Sequence, residues 1–143
     1  MLKLTPWLCI AALLSLTIAE CGAEKWPLHI AITGASPTHG EVIVALFDSE
    51  QRFLVEPIST ITQSVDDNGV ARVIFENVEP GEYAVSVIYD EDGDGELARN
   101  KRGVPLEAVG FSQNAKARFG PPSFSEAAFV YTSAATIEIT LIR

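Results

Sequence analysis

The sequence predicts an all-β protein: a single antiparallel β-sandwich of about seven strands with one long loop excursion. Three features point there. Apolar runs are short and are separated by Gly, Pro, Asn and Asp turn signals roughly every 8–12 residues, the spacing of sandwiches and barrels. Several runs alternate with the two-residue period of a pleated strand. Only one short stretch reads as helix, and that as a single turn.

Leu28 to Thr33 is the first strand, ended by Gly34-Ala35-Ser36-Pro37. Glu41 to Phe47 is the second. Val42, Val44 and Leu46 occupy one face, and Ile43, Ala45 and Phe47 the other. Apolar residues on both faces mark a central or well-covered strand. Asp48 to Leu54 reads as one helical turn, capped by Asp48 or Ser49. Ile58 to Val65 is the third strand. Asp66-Asp67-Asn68-Gly69 then signals a hairpin, because Asn and Gly tolerate positive φ. Val70 to Glu76 is the strand expected to complete it, with Ala71, Val73 and Phe75 on one face. Val78-Glu79-Pro80-Gly81 is a second tight turn. Glu82 to Tyr89 alternates cleanly: Tyr83, Val85, Val87 and Tyr89 against Ala84, Ser86 and Ile88. The rhythm breaks from residue 90 to about 124, longer than loops of compact domains usually run. Strands resume at Ala128 to Tyr131 and Thr136 to Ile142.

The first residues read as a targeting segment. Met1-Leu2-Lys3 is a short positive start, Leu4 to Ile18 is mostly apolar, and small residues follow at Ala19, Gly22 and Ala23. That order is the order of a secretory signal peptide. The expected organisation is a signal over 1–23, cut after Ala19 or Ala23, and one domain over 24–143. The apolar run is too short for a spanning helix and contains Pro6. The mature form is therefore expected to lack a transmembrane segment and to reside in the periplasm or outside the cell. A lipid anchor on Cys21 is disfavoured by Glu20 just before it. Of the two cysteines, Cys9 lies in the signal and Cys21 at its edge, so cleavage leaves at most one, no internal disulfide is expected and stability rests on packing. A net charge of −9 argues against nucleic acid and against anionic lipid as partners.

One constellation carries chemistry. Asp90-Glu91-Asp92-Gly93-Asp94-Gly95-Glu96-Leu97 follows the first half of an EF-hand loop. Asp90, Asp92 and Asp94 fall at ligand positions 1, 3 and 5, Gly95 at the sharp turn, and Glu96 at the carbonyl ligand position. A hard cation such as Ca²⁺ takes six to eight oxygens, and this spacing aims several at one centre. The second half is missing: Lys101 stands where a bidentate Glu belongs, and a strand enters the loop instead of a helix. A distant carboxylate, Glu107 or Glu126, would have to complete the shell. The plainer alternative is an acidic turn, since Asp and Gly are good turn formers.

Catalytic signals are weak. His29 and His39 are isolated, and there is no Gly-x-Ser-x-Gly elbow, phosphate-cradling Gly loop or Cys/His metal spacing. No catalytic residue is assigned. Arg99, Lys101, Arg102, Lys116 and Arg118 gather in the long segment, expected to pair with Glu96 and Glu107. Phe111, Phe119, Phe124 and Phe129 interleave with them and are expected to pin the segment to the core.

Several elements together resemble a known family. They are Tyr83-Ala84-Val85 after Pro80-Gly81, the acidic Gly loop, Gly103-Val104-Pro105-Leu106-Glu107, Gly110-Phe111-Ser112-Gln113-Asn114-Ala115, and Gly120-Pro121-Pro122-Ser123-Phe124. They resemble the bacterial exported family called domain of unknown function 2141. The resemblance covers nearly all of the expected mature chain. It implies a transthyretin-like or carboxypeptidase-regulatory-like sandwich, of immunoglobulin-like layout, and brings no catalytic residues with it. The family's loop usually reads Asp-x-Asn-x-Asn-Gly-x-Leu-Asp. This chain departs from it with Asp92 and Asp94 for Asn and Ala98 for Asp.

The sequence thus supports a non-enzymatic exported module whose acidic loop binds Ca²⁺ and whose long segment meets an envelope or extracellular ligand. A purely structural domain without metal is one alternative. A hydrolase of glycans or peptides is the other.

Overall fold

A computed structural model describes residues 22–36 and 39–143. The expected signal and both cysteines lie outside the described residues, apart from Gly22 and Ala23. Eight strands form among these residues: β1 (Trp26–Thr33), β2 (Glu41–Phe47), β3 (Ser59–Ser64), β4 (Ala71–Val78), β5 (Gly81–Asp90), β6 (Val109–Phe111), β7 (Phe129–Tyr131) and β8 (Ala135–Thr140). A 3₁₀ turn (Ser112–Asn114) and the four-residue helix α1 (Phe124–Ala127) sit between β6 and β7.

The strands make two packed sheets. One has the order β4-β1-β8; the other runs β3-β2-β5-β6, with β7 also paired to β5. The alternating positions read from the sequence face each other between them. Leu28, Ile30 and Ile32 of β1 meet Val42, Val44 and Leu46 of β2 and Val85, Val87 and Tyr89 of β5 in one buried cluster. Each such side chain contributes about 1.5–3 kcal/mol when fully buried, and this layer carries the fold. β2 is central in its sheet, as its two apolar faces require.

Two pairings differ from expectation. Asp66–Gly69 does turn the chain: Asp66 Oδ1 accepts the N–H groups of Asn68 and Val70, both at 2.9 Å, and Gly69 adopts φ +72°. Yet β3 and β4 do not form a hairpin. β4 leaves for the other sheet and pairs with β1. Turn residues dictate a reversal of direction; the apolar face of β1 decides which sheet receives the strand. A Cβ on Gly69 would lie 2.2 Å from the Ala35 carbonyl oxygen, so the turn is wedged against the β1–β2 connection. The second difference is β8, which lies parallel to β1 in an otherwise antiparallel architecture.

The long segment is not a bare loop. β6, the 3₁₀ turn and α1 fold back over the outer face of β5. There Ala84 joins Val109, Phe111, Phe124 and Ala127 in a second, smaller cluster. Phe111, Phe124 and Phe129 are buried, as their interleaving suggests, while Phe119 is fully exposed. Gly110 is required by close approach: a Cβ there would meet Ile139 Cγ2 at 2.6 Å.

Candidate metal centre

The acidic loop leaves the end of β5. Strand pairing to Glu41 of β2 holds Asp90 in place, and its carboxylate is buried at 3% exposure. Its two oxygens organise the loop. Oδ1 accepts the Gly93 N–H at 2.7 Å and Oδ2 the Gly95 N–H at 2.8 Å. Both glycines have positive φ, +77° and +78°, which turns their N–H groups inward around the carboxylate. Burial pushes the Asp90 carboxyl up. Main-chain N–H groups from Gly95, Gly93 and Asp94, together with the Asp92 side chain, outweigh it, and the net direction is down.

Glu107 closes the loop from the other side. It is buried at 6% exposure; its Oε1 accepts the Glu91 N–H and its Oε2 the Ala98 N–H, both at 3.0 Å. One side chain thereby clasps both ends of the acidic stretch. Carboxylate oxygens of Asp90, Asp92 and Glu107 all lie within 4.8 Å of one another. The Asp94 and Glu96 carboxylates are not in this group, Glu96 having been expected to offer its main-chain carbonyl. Asp94 accepts the Glu96 N–H at 2.8 Å, and both side chains are exposed.

The other suggested carboxylate, Glu126, has a different task. It accepts the N–H and the hydroxyl of Ser123, both at 2.8 Å, at the start of α1. The pair forms a capping box, legible as Ser-x-x-Glu. These bonds, with Arg118 nearby, hold the Glu126 carboxyl below its ordinary value of 4.5. The unfolded chain then binds more protons below that value. The stabilisation is present above it and is lost as pH falls through the folded-state value. Glu126→Gln keeps a residue suited to the box but removes the titration. The decline in urea midpoint below pH 4.5 is expected to be shallower in this variant than in the parent. Superimposable acid limbs would show that the charge contributes nothing.

The expected pairing of the basic cluster with Glu96 and Glu107 does not form among the described residues. Arg99 instead donates to the Gly103 carbonyl at 3.0 Å, and in the loop an ion pair joins Glu91 to Arg143. No ion pair neutralises Asp90, Asp92 or Glu107 among the described residues.

The family model for an uncharacterized protein conserved in bacteria (DUF2141) matches residues 30–139. The chain belongs to that family. The match takes in both sheets except the ends of β1 and β8, together with the whole acidic loop, so in this DUF2141 chain the triad is part of the domain itself. No curated protein and no solved structure matches the DUF2141 chain. Among its described residues, no helix is long and apolar enough to cross a membrane.

Proposed function

We propose that this protein is a non-enzymatic exported module whose acidic loop takes up one divalent cation, Ca²⁺ by the chemistry of its donors. One observation carries the reading: three carboxylates converge within 4.8 Å, two of them buried, with no basic side chain among the described residues paired to them. Buried carboxylates without a counter-charge are costly, and a hard oxygen-seeking cation supplies that charge. Asp90, Asp92 and Glu107 would be its side-chain ligands. The remaining lone pairs of oxygens that already accept N–H groups stay available to metal, because each carboxylate oxygen carries two. The cation would then fix the 90–107 segment as a rigid rim for an envelope or extracellular partner. A hydrolytic role finds no support in this placement. Neither the cleft between β3 and β4 nor the groove over Phe111 and Ile142 is lined by these carboxylates.

Calorimetry with Ca²⁺ should give a saturable one-to-one heat. Asp92→Ala is the informative variant, because Asp92 is exposed and its one main-chain bond is a long one, from the Asp94 N–H at 3.2 Å. It is expected to weaken Ca²⁺ at least tenfold while costing the metal-free fold no more than about 0.5 kcal/mol. Absence of heat for the parent chain removes the proposal.

A second reading draws on the same geometry. Every oxygen of Asp90 and Glu107 already accepts a main-chain N–H, so the triad can act as a clasp without metal. Thermal stability indifferent to both Ca²⁺ and chelator would favour it, because a ligand that binds only the native state must raise stability.

A further inference from the structure

The sandwich is zipped along one side and open along the other. On the closed side Val109 and Ile142 exchange two main-chain hydrogen bonds of 2.8 Å, joining β6 to the chain just beyond β8. On the opposite side β3 ends one sheet and β4 ends the other. A cleft of about 370 Å³ opens between them, floored by Leu46, Ile61, Phe75 and Val78.

β3 is poorly protected for an edge strand. Edges are usually blunted by charge, proline, bulges or shortness. β4 carries Arg72 and Glu76, β8 carries Glu138, and β6 and β7 are three residues each. β3 reads Ser-Thr-Ile-Thr-Gln-Ser, with no charge, no proline and an unbroken register to β2. Val65 donates its N–H to Gly40 of the β2 side. Two-residue alternation then turns Ser59, Ile61 and Gln63 toward β2 and leaves the N–H and C=O groups of Thr60, Thr62 and Ser64 facing outward. The same parity holds across the sheet, where Tyr89 and Val85 donate away from β2 to Ala108 and Ser112. On the cleft face, Ser59 and Gln63 stand opposite the core residues Leu46 and Val42, so the apolar layer is left incomplete.

The charges around this edge select the occupant. Glu56 precedes β3, Asp66 and Asp67 follow it, and Glu76 lines the cleft; none of the four is in an ion pair among the described residues. Two copies of β3 paired antiparallel would set Glu56 of one against Asp66 and Asp67 of the other, on chains of net charge −9. We propose that the β3 edge and its cleft form a strand-addition site for an extended segment of another protein, apolar at every second residue and basic at both ends. Main-chain bonds to β3 supply affinity, the cleft takes alternate side chains, and the acidic flanks read the ends.

The test uses fluorescein-labelled Lys-Val-Thr-Val-Thr-Val-Lys and its Glu-ended counterpart, followed by anisotropy with the purified chain. The Lys-ended peptide should bind saturably, and the Glu-ended one at least tenfold more weakly. Thr62→Pro removes one outward donor without touching the β2 ladder, a place where edge strands tolerate proline. Thr62→Lys keeps the donor but sets a cation against a cationic partner. Each should weaken the Lys-ended peptide at least tenfold, while Thr62→Val stays within twofold. No saturable binding, equal binding of the two peptides, or unchanged affinity in both Thr62→Pro and Thr62→Lys would overturn the proposal. So would a sedimentation dimer that Thr62→Lys dissolves, which would make the occupant a second copy.

Discussion

Ser112→Ala is expected to cost about 2–4 kcal/mol, because two buried main-chain groups lose their partner at about 1–2 kcal/mol each. The reason lies in the outer edge of β5. β7 pairs with residues 81–83 of that edge and β6 with residues 86–88, and a gap separates the two. Val85 points its N–H into the gap. The Ser112 hydroxyl, fully buried, accepts it at 2.9 Å and donates to the Ala127 carbonyl at 2.5 Å. One side chain thus stands in for a strand and also ties down the end of α1. Alanine removes the group that the Val85 N–H donates to and the Ala127 carbonyl accepts from. At roughly 4 °C per kcal/mol for a domain of this size, the melting temperature should drop by about 8–16 °C. Urea unfolding should show the same loss as a lower midpoint with unchanged slope. A loss under about 0.5 kcal/mol would mean that water replaces the hydroxyl, which a buried apolar setting does not favour.

Ser112 also marks where the sequence stops being readable. A lone serine after Gly110-Phe111 carries no local signal; its importance comes from a gap created by two distant strands. β2 and β5 were legible because each has a long apolar alternation that only a pleated strand can use, and their limits fall within a residue of the expected ones. β6 was not legible: Val109-Gly110-Phe111 is buried at every position and too short to show a period. The assignment of β3 and β4 to different sheets, and the parallel seating of β8 on β1, depend on which faces meet after collapse. Of the candidate site, the spacing before Gly95 singled out Asp90 and Asp92, two of the three carboxylates that the fold brings together. Glu107 was one of two suggestions, and the Ser-x-x-Glu signature of Ser123 and Glu126 was the available clue for choosing between them.

Glu107→Gln separates the two readings of the triad. In chelator the variant is expected to lose about 2 kcal/mol, since hydrogen bonds to charged groups contribute about 1.5–3 kcal/mol each. The glutamine carbonyl can still accept from Glu91 or Ala98, but its amide N–H₂ then faces the other N–H, donor against donor. Relief of repulsion from Asp90 and Asp92 returns part of the loss. If the triad holds Ca²⁺, the parent in saturating Ca²⁺ gains the binding free energy, about 2.7 kcal/mol at a hundredfold excess over Kd. The variant, one charge short at a buried ligand, gains little. The stability gap should therefore widen from about 2 kcal/mol in chelator to about 4–5 kcal/mol in Ca²⁺. Mg²⁺ should open it less, because the smaller ion demands near-octahedral geometry and parts reluctantly with its water. A gap of the same size in both conditions would leave Glu107 as a clasp on the Glu91 and Ala98 main chain and nothing more. Both outcomes follow from one fact of placement: a single buried carboxylate holds the two ends of an acidic loop in which, among the described residues, Asp90 and Asp92 have no ion-pair partner.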